Sequence, residues 1–368
     1  MSKKTLLFQE HLKEGARLIE FGDWLLPLEY TSILKEAKTV RKTCGLFDVS
    51  HMGKIEIKGK DAFLFLQKLS CNDLFLLKEG GLQYNLFLNE KGAILDDCIF
   101  YYLKEDHFLC IVNASNKEKI CRWLKKHSFS GLEIIDQTEE KSFLSLQGPY
   151  AHLIIKDILK KEINFYYMNF VEEEIERRKI LISRSGYTAE DGFEIYVDNK
   201  DVIFIWERIL NAGKNYSLCL CGLGSRDILR IEAGHSLYGH EIDEAINPYE
   251  AGLSWVVKLK KDFIGKSALV KIKEEGAEKK RIGFVLKERG MVRKNYPIYD
   301  EKEEKLIGWA TSGTYSPNLD KFIGMGYLKK EYLDISLIKI KIREKFYEAN
   351  LVKIPFVEVK VMRRYVYV

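Results

Sequence analysis

Apolar positions along the chain switch repeatedly between a helical period and a period of two. In "YTSILKEAKTVRKTCG" (30–45), Ile33, Ala37, Val40 and Cys44 recur at helical spacing. Thr31 or Ser32 can cap that helix and Gly45 can close it. "GLFDVSHMG" then reads as a helix-to-strand junction, and Lys54 to Lys58 alternates as a strand. "DAFLFLQKLSC" returns to helical spacing. "LQYNLFLNEKGAILDDCIFYYL" reads as two apolar strands around an "NEKG" turn. "HFLCIVNAS" is a further strand, after which Ser115 can cap a helix that runs to His127.

The alternation continues downstream. "KSFLSLQGP" is a strand ended by a Gly-Pro break, and "YAHLIIKDIL" is a helix. "KILISRSGYTAEDGFEIYV" is two strands around a polar loop. "DVIFIWERILNAG" is a helix with Asp201 at its head and Gly213 just past its end. "SWVVKLKKDFIGKSALVKIKEEGAEKK" ends in a charged helix and a linker near 275–280. Beyond it, short strands separated by turns predict a small all-β unit of about 90 residues, a barrel or a sandwich. The expected architecture is an α+β body followed by a β domain.

Composition narrows the function classes. Of 368 residues, 46% are hydrophobic and 31% charged, which is ordinary for a folded globular chain of two or three domains. The 59 basic and 54 acidic residues leave a net charge of +5, too balanced to argue for nucleic acid as a partner. No apolar run is long enough to suggest a membrane span, and "MSKKTLLFQEHL" lacks a signal-peptide core, so a cytoplasmic protein is expected. The seven cysteines are odd in number and scattered in apolar context, which reads as reduced core thiols. "CLC" at 219–221 puts two sulfurs on one side of a strand, but no Cys or His pair stands nearby at zinc spacing, and no metal is expected.

Two adjacent aspartates stand at the head of the apolar run "GAILDDCIFYYL". Strict alternation puts Ile94, Asp96, Cys98 and Phe100 on one face and Leu95, Asp97, Ile99 and Tyr101 on the other. The carboxylates then diverge and cannot act as a glycosidase-type pair. Both faces are apolar beyond them, so at least one carboxylate is expected near a buried surface, where it needs partners. The plain alternative puts both at an exposed strand entrance, finishing the turn after Gly92.

Three other stretches carry candidate chemistry. "FDVSHMG" sets Asp48, Ser50 and His51 together, but triads are made by geometry and not by adjacency, and no G-x-S-x-G elbow is present. The plain reading is a loop in which Asp48 and Ser50 bond local backbone. In "RSGYTAEDGFEIYV", Glu190 and Asp191 read as a turn, while Glu194 lies within a strand and faces with Tyr196. Its two oxygens suit a fork of two N–H donors, from an arginine or from an amino-pyrimidinone ring such as a pterin. "CGLGSRDILRIEAGHSLYGHEID" lacks the third glycine of a dinucleotide loop and the Gly-Lys-Ser/Thr ending of a P-loop. Gly224 and Ser225 instead open a helix with Arg226 in its first turn, where a cation opposes the helix dipole; this points to an external partner, with a structural salt bridge as the plain reading.

Together these stretches resemble the family of the glycine cleavage T-protein, a tetrahydrofolate-dependent aminomethyltransferase. The resemblance rests on "FGDWLLPLEYTSILKEAKTVRKTCGLFDVSHMG", "NEKGAILDDCIFYYL", "IVNASN", "SLQGP", "SRSGYTAEDGFEIYV", "GLGSRDILRIEAGHSLYGHEIDE", "NPYEAGLSWVVKLKKDFIGK" and "ATSGTYSPNLDKFIGMGYL". They run in the family's order from about residue 5 to 330.

The family implies an α+β fold of three domains in a cloverleaf around a central folate channel, with a small C-terminal β-barrel. On this chain the expected division is a discontinuous folate-binding body at 1–50 and 141–275, an inserted lobe at 51–140, and the barrel at 281–368. The implied reaction moves an aminomethyl carbon from the lipoyl arm of the carrier H-protein to tetrahydrofolate. Ammonia is released and 5,10-methylenetetrahydrofolate forms. The family's functional aspartate matches Asp97, its pterin-binding glutamate Glu194, and its arginine near the folate carboxylates Arg226. Met52, Asn113, Tyr187 and Tyr238 match residues lining the pocket. Two departures, Ala189 where glycine is common and His240 where a small polar residue is, leave Asp97 and Glu194 untouched. "PFVEVKVMRRYVYV" matches poorly, so Arg363 and Arg364 receive no role.

The main competitor is a folate-binding protein of iron–sulfur cluster assembly on the same fold. Those relatives carry a K-G-C-Y-x-G-Q-E-type stretch, whereas the comparable "INPYEAGLSW" has no cysteine. The folate domain of methylamine-oxidising demethylases is a second; it is fused to a flavin domain for which this chain has neither the length nor a dinucleotide fingerprint. A scaffold without chemistry is a third, for which Asp97→Asn would be silent.

Overall fold

In the computed structural model, which describes residues 2–361, the strands gather into three sheets and a barrel. Arg363 and Arg364 lie outside the described residues. Arg17–Phe21 and Trp24–Glu29 form a two-stranded ribbon. A six-stranded sheet runs in the order Phe170–Ile175, Arg178–Ser183, Gly192–Asp198, Lys141–Gln147, Cys44–Asp48 and Leu218–Leu220. Its last pair is parallel and the others are antiparallel. A five-stranded sheet runs in the order Leu82–Leu88, Ile94–Lys104, His107–Val112, Gly53–Lys58 and Glu133–Asp136. Lys279–Leu286, Lys321–Lys329, Leu306–Ser316, Pro297–Tyr299, Leu337–Ile342 and Lys345–Val352 close the barrel, which resolves the choice between barrel and sandwich.

The first predicted helix is Ile33–Lys42, and Ser32 caps it by accepting from the Lys35 amide at 3.2 Å. Ala37 and Val40 are fully buried, as their spacing requires. Cys44 and Gly45 do not continue or close this helix. They begin the Cys44–Asp48 strand, which is buried at every position. Gly45 serves close approach and not a left-handed cap: a Cβ there would meet Val40 Cγ2 at 2.5 Å and Cys221 Sγ at 2.6 Å. "FDVSHMG" therefore joins strand to strand. The Cys219 and Cys221 sulfurs do share a side, 3.2 Å apart.

Glu36 sits on the buried face of the same helix and has four donors. Its Oε1 accepts from the amides of Tyr30 (2.7 Å) and Thr31 (3.1 Å). Its Oε2 accepts from the Gly222 amide and the Ser225 hydroxyl, both at 3.0 Å. One carboxylate thus ties the start of Ile33–Lys42 to the start of the Leu223–Glu232 helix, and so positions Arg226.

The helix after "IVNAS" is Lys117–His127, and Ser115 is not its cap. Ser115 lies in a 3₁₀ turn, Ala114–Asn116, and Asn116 holds the cap position without bonding the helix. The Asn116 amide is directed to Asp96 instead.

Buried charge pairs join the Leu223–Glu232 helix to the barrel. Arg230 bonds Glu241 Oε2 at 2.6 Å and the Ser312 hydroxyl at 2.8 Å, with both charged groups buried. Glu232 bonds Arg41 at 2.8 Å, Ser316 at 2.5 Å and Asn318 at 2.9 Å.

Candidate functional site

The two aspartates do not lie at an exposed entrance. Asp96 is fully buried and Asp97 is half-buried. The pairing of the two strands slips where Phe87 faces Asp96 and Leu88 faces Ile94, leaving Leu95 as an extra residue. Leu95 packs in the same cluster as Cys98 and Phe100, so strict alternation fails at this bulge.

The side chains also meet rather than act apart. Asn113 stands one residue past Val112, which pairs with Cys98, so its amide closes over the end of the ladder. Its Nδ2 lies 2.8 Å from Asp96 Oδ1 and 2.7 Å from Asp97 Oδ1. One amide group bridges both carboxylates, which corrects the expectation of divergence. Asp96 further accepts from Asn116 Nδ2 at 2.6 Å and from the Asn113 backbone amide at 3.2 Å. Asp97 Oδ2 accepts from the Tyr84 hydroxyl at 3.1 Å. Burial raises both carboxyls above the ordinary range, and the neighbouring Asp97 charge adds to the rise at Asp96.

Tyr84 escaped notice in the sequence because it sits in an alternating strand like any core aromatic. Its ring stacks on Trp255, with centroids 5.6 Å apart, and Trp255 is 57% exposed. A hydroxyl that reaches Asp97 is therefore held by an aromatic pair open to solvent.

Glu194 and Arg226 occupy the other end of this constellation. Glu194 does face with Tyr196 and away from Phe193, Ile195 and Val197, which are buried. Its Oε2 accepts from Ser185 at 2.5 Å, and that hydroxyl continues to Ser183 (2.8 Å) and Tyr101 (3.0 Å). Burial raises the Glu194 carboxyl, while Ser185 and Arg226 act to lower it. Arg226 stands in the first turn as expected, with its guanidinium 4.8 Å from the Tyr187 ring centroid. Its Nη1 is buried without a hydrogen-bond partner among the described residues. A buried guanidinium donor left open has room for an acceptor from a ligand.

Of the remaining candidates, Tyr187 interacts with both ends. The Tyr187 hydroxyl donates to the Ser236 carbonyl, and its ring stacks on His235 at 5.3 Å. Asp97, Arg226 and Arg230 all act electrostatically on that phenol. Lys119 Nζ donates to the Tyr238 hydroxyl at 2.8 Å, lies 4.5 Å from its ring centroid, and pairs with Glu244 at 2.9 Å. Asp96 and Asp97 act on Tyr238 in turn. Met52 packs against the cluster containing Phe47, Tyr101 and Ile228, and its carbonyl accepts from the buried Lys54 at 2.8 Å.

The Ser/His/Asp triad does not form. Asp48 accepts from the Ser50 amide at 2.9 Å, and its imidazole partner is His11, at 2.9 Å, not His51. The Glu190–Asp191 turn is held by Arg184, which forks onto Asp191 at 2.9 and 2.6 Å. Ala189 there has a φ of +63°, which accounts for the glycine common at that place.

Residues 7–261 match the family described as GCVT N-terminal domain, and residues 279–358 match the glycine cleavage T-protein C-terminal barrel domain. The chain is 42% identical to an aminomethyltransferase of Halothermothrix orenii, over 96% of this chain and all of that protein. It is 41% identical to an aminomethyltransferase of Bacillus subtilis, over 97% of this chain and 99% of that one. Among solved structures, glycine cleavage system aminomethyltransferase T from Bartonella henselae superposes with a TM-score of 0.92 at 32% identity. That match covers 98% of this chain and all of the other.

Proposed function

The chain belongs to the glycine cleavage T-protein family and is an aminomethyltransferase of that system; from that premise we propose that it moves the aminomethyl carbon from the lipoyl arm of H-protein to tetrahydrofolate, with Asp97 as the catalytic carboxyl. The supporting observation is the buried carboxyl of Asp97 held between the Tyr84 hydroxyl and the Asn113 amide. The three-domain division at 1–50 with 141–275, 51–140 and 281–368 around a folate channel is part of the same proposal.

The residues present fit a folate. Glu194 has one of its two oxygens bonded to Ser185, leaving the other to take an N–H of the pterin ring. The unpartnered Nη1 of Arg226 can take a carboxylate or carbonyl oxygen from the other end. Tyr187, Tyr238, Met52 and Asn113 supply aromatic, apolar and amide surface between them. When bound, tetrahydrofolate supplies the two nitrogens that receive the one-carbon unit.

Asp97 then has two tasks. As a carboxylate it stabilises positive charge that develops on the aminomethyl group as its amine departs. The raised proton affinity of Asp97 also suits it to hold and pass on a proton. Tyr84 and Asn113 fix one oxygen each, so the group does not reorganise during the reaction.

The test is ammonia release from an aminomethyl-loaded lipoyl carrier, with and without tetrahydrofolate. Fast folate-dependent release with methylenetetrahydrofolate as product is expected. Asp97→Asn should lower turnover at least about tenfold in a correctly folded variant. Unchanged turnover would remove Asp97 from the mechanism, and measurable folate binding without ammonia release would remove the reaction itself.

A further inference from the structure

Asp96, by its position one residue from the catalytic carboxyl, looks like a neighbour with a purely structural duty. Its contacts are more specific than that. Three N–H donors converge on it: Asn113 Nδ2 at 2.8 Å, Asn116 Nδ2 at 2.6 Å and the Asn113 backbone amide at 3.2 Å. All three are N–H donors, which lower its affinity for a proton, but burial and the neighbouring Asp97 charge raise it by more. Two of the three come from Asn113, so Asp96 grips that residue by both side chain and main chain.

The Asn113 amide has two hydrogens. Asp96 Oδ1 takes one, and the other meets Asp97, at its Oδ1 (2.7 Å) and its backbone carbonyl (3.3 Å). We propose that Asp96 is a positioning residue of the transfer reaction, clamping the Asn113 amide so that its second hydrogen stays on Asp97. This inference rests on the reading of Asp97 as the catalytic carboxyl.

The clamp has an electrostatic side. The Asn113 amide opposes the rise that burial causes at Asp97, so the clamp also sets the pH range over which Asp97 works, and the two carboxyls titrate as a pair. The groups facing the pair do not change charge near neutrality. Tyr84, Tyr187, Tyr238 and Cys98 are all pushed above their ordinary values, chiefly by burial. Lys119 adds a positive charge at Tyr238, where Asp243 and Glu244 oppose it, and Arg281 acts on Tyr84.

The experiment compares three variants of the full chain, Asp96→Asn, Asn116→Ala and Asp97→Asn, in folate-dependent ammonia release across pH 5 to 9. Asp96→Asn should lower kcat about tenfold and move the limb governed by Asp97 to higher pH, because the loosened amide no longer holds that carboxyl down, with the folate dissociation constant within about twofold of wild type. Asn116→Ala removes one of the three donors that hold Asp96, so it should lower kcat about threefold and move the limb in the same direction by less. A superimposable pH profile for Asp96→Asn overturns the inference, whether or not kcat falls. If Asp96→Asn does not fold, Asn116→Ala decides: lower kcat at unchanged folate affinity supports the clamp, and unchanged kcat overturns it. Full turnover in Asp97→Asn would instead overturn the premise, which separates the two failures.

Discussion

The Tyr84 hydroxyl donates to Asp97 Oδ2 at 3.1 Å across the antiparallel pair of strands that carries both residues. A donor to the charged form lowers a carboxyl's pKa, so removing it raises the pKa. Tyr84→Phe keeps the ring stacked on Trp255 and deletes only that donor. Turnover should fall about tenfold, in line with a hydrogen bond to a charged group worth roughly 1.5–3 kcal/mol. The limb governed by Asp97 should move to higher pH. A profile identical to wild type would mean that the phenol plays no part in tuning Asp97.

Glu194 is placed for binding rather than for chemistry. It accepts from Ser185 and feels the charge of Arg226. Glu194→Ala should weaken tetrahydrofolate binding about 10- to 100-fold, the range that loss of a charge-assisted bond implies. The kcat at saturating folate should change much less. Equilibrium binding measured by fluorescence or calorimetry checks this, and a wild-type dissociation constant would contradict the assignment.

Asp48 links acid stability to the buried His11 pair. Burial alone would raise its carboxyl, but His11, Ser50 and Thr5 outweigh that and hold it down at about 2. A carboxyl depressed in the folded state stabilises fully above its unfolded pKa and stops doing so as pH falls through the folded value. Asp48→Asn should therefore cost about 2–3 kcal/mol at pH 7. The gap to wild type should close as pH falls from about 4 toward 2. Urea denaturation at a series of pH values measures it; a gap that does not vary with pH would show that the ionised form is not what stabilises.

Much of the fold was legible because most elements are amphipathic in the ordinary way. Glu194 could be read from alternation alone, since its strand buries Phe193, Ile195 and Val197 on the opposite face. Reading failed where tertiary contacts override local pattern. Gly45 resembles a helix cap until Cys221, just past the neighbouring Leu218–Leu220 strand, is brought against it. The aspartates diverge on paper because a bulge at Leu95 leaves no mark in composition. Asn113 and Asn116 look like loop and cap residues, and only the strand pairing turns them onto Asp96. His11 could not be chosen over His51 as the partner of Asp48, because the contact spans 37 residues and depends on how the first helix docks.

The six-stranded sheet seats Cys44–Asp48 between neighbours that a ribosome makes much later. Lys141–Gln147 follows about 90 residues on and Leu218–Leu220 about 170, waits of roughly 5–20 s and 9–35 s at about 5–20 residues per second. During that time a segment destined for complete burial lacks both strands that will flank it, which leaves it open to aggregation. The five-stranded sheet, by contrast, has all its strands once Asp136 has emerged. The aspartates are thus in place on a finished sheet before the helix bearing Arg226 exists to face them.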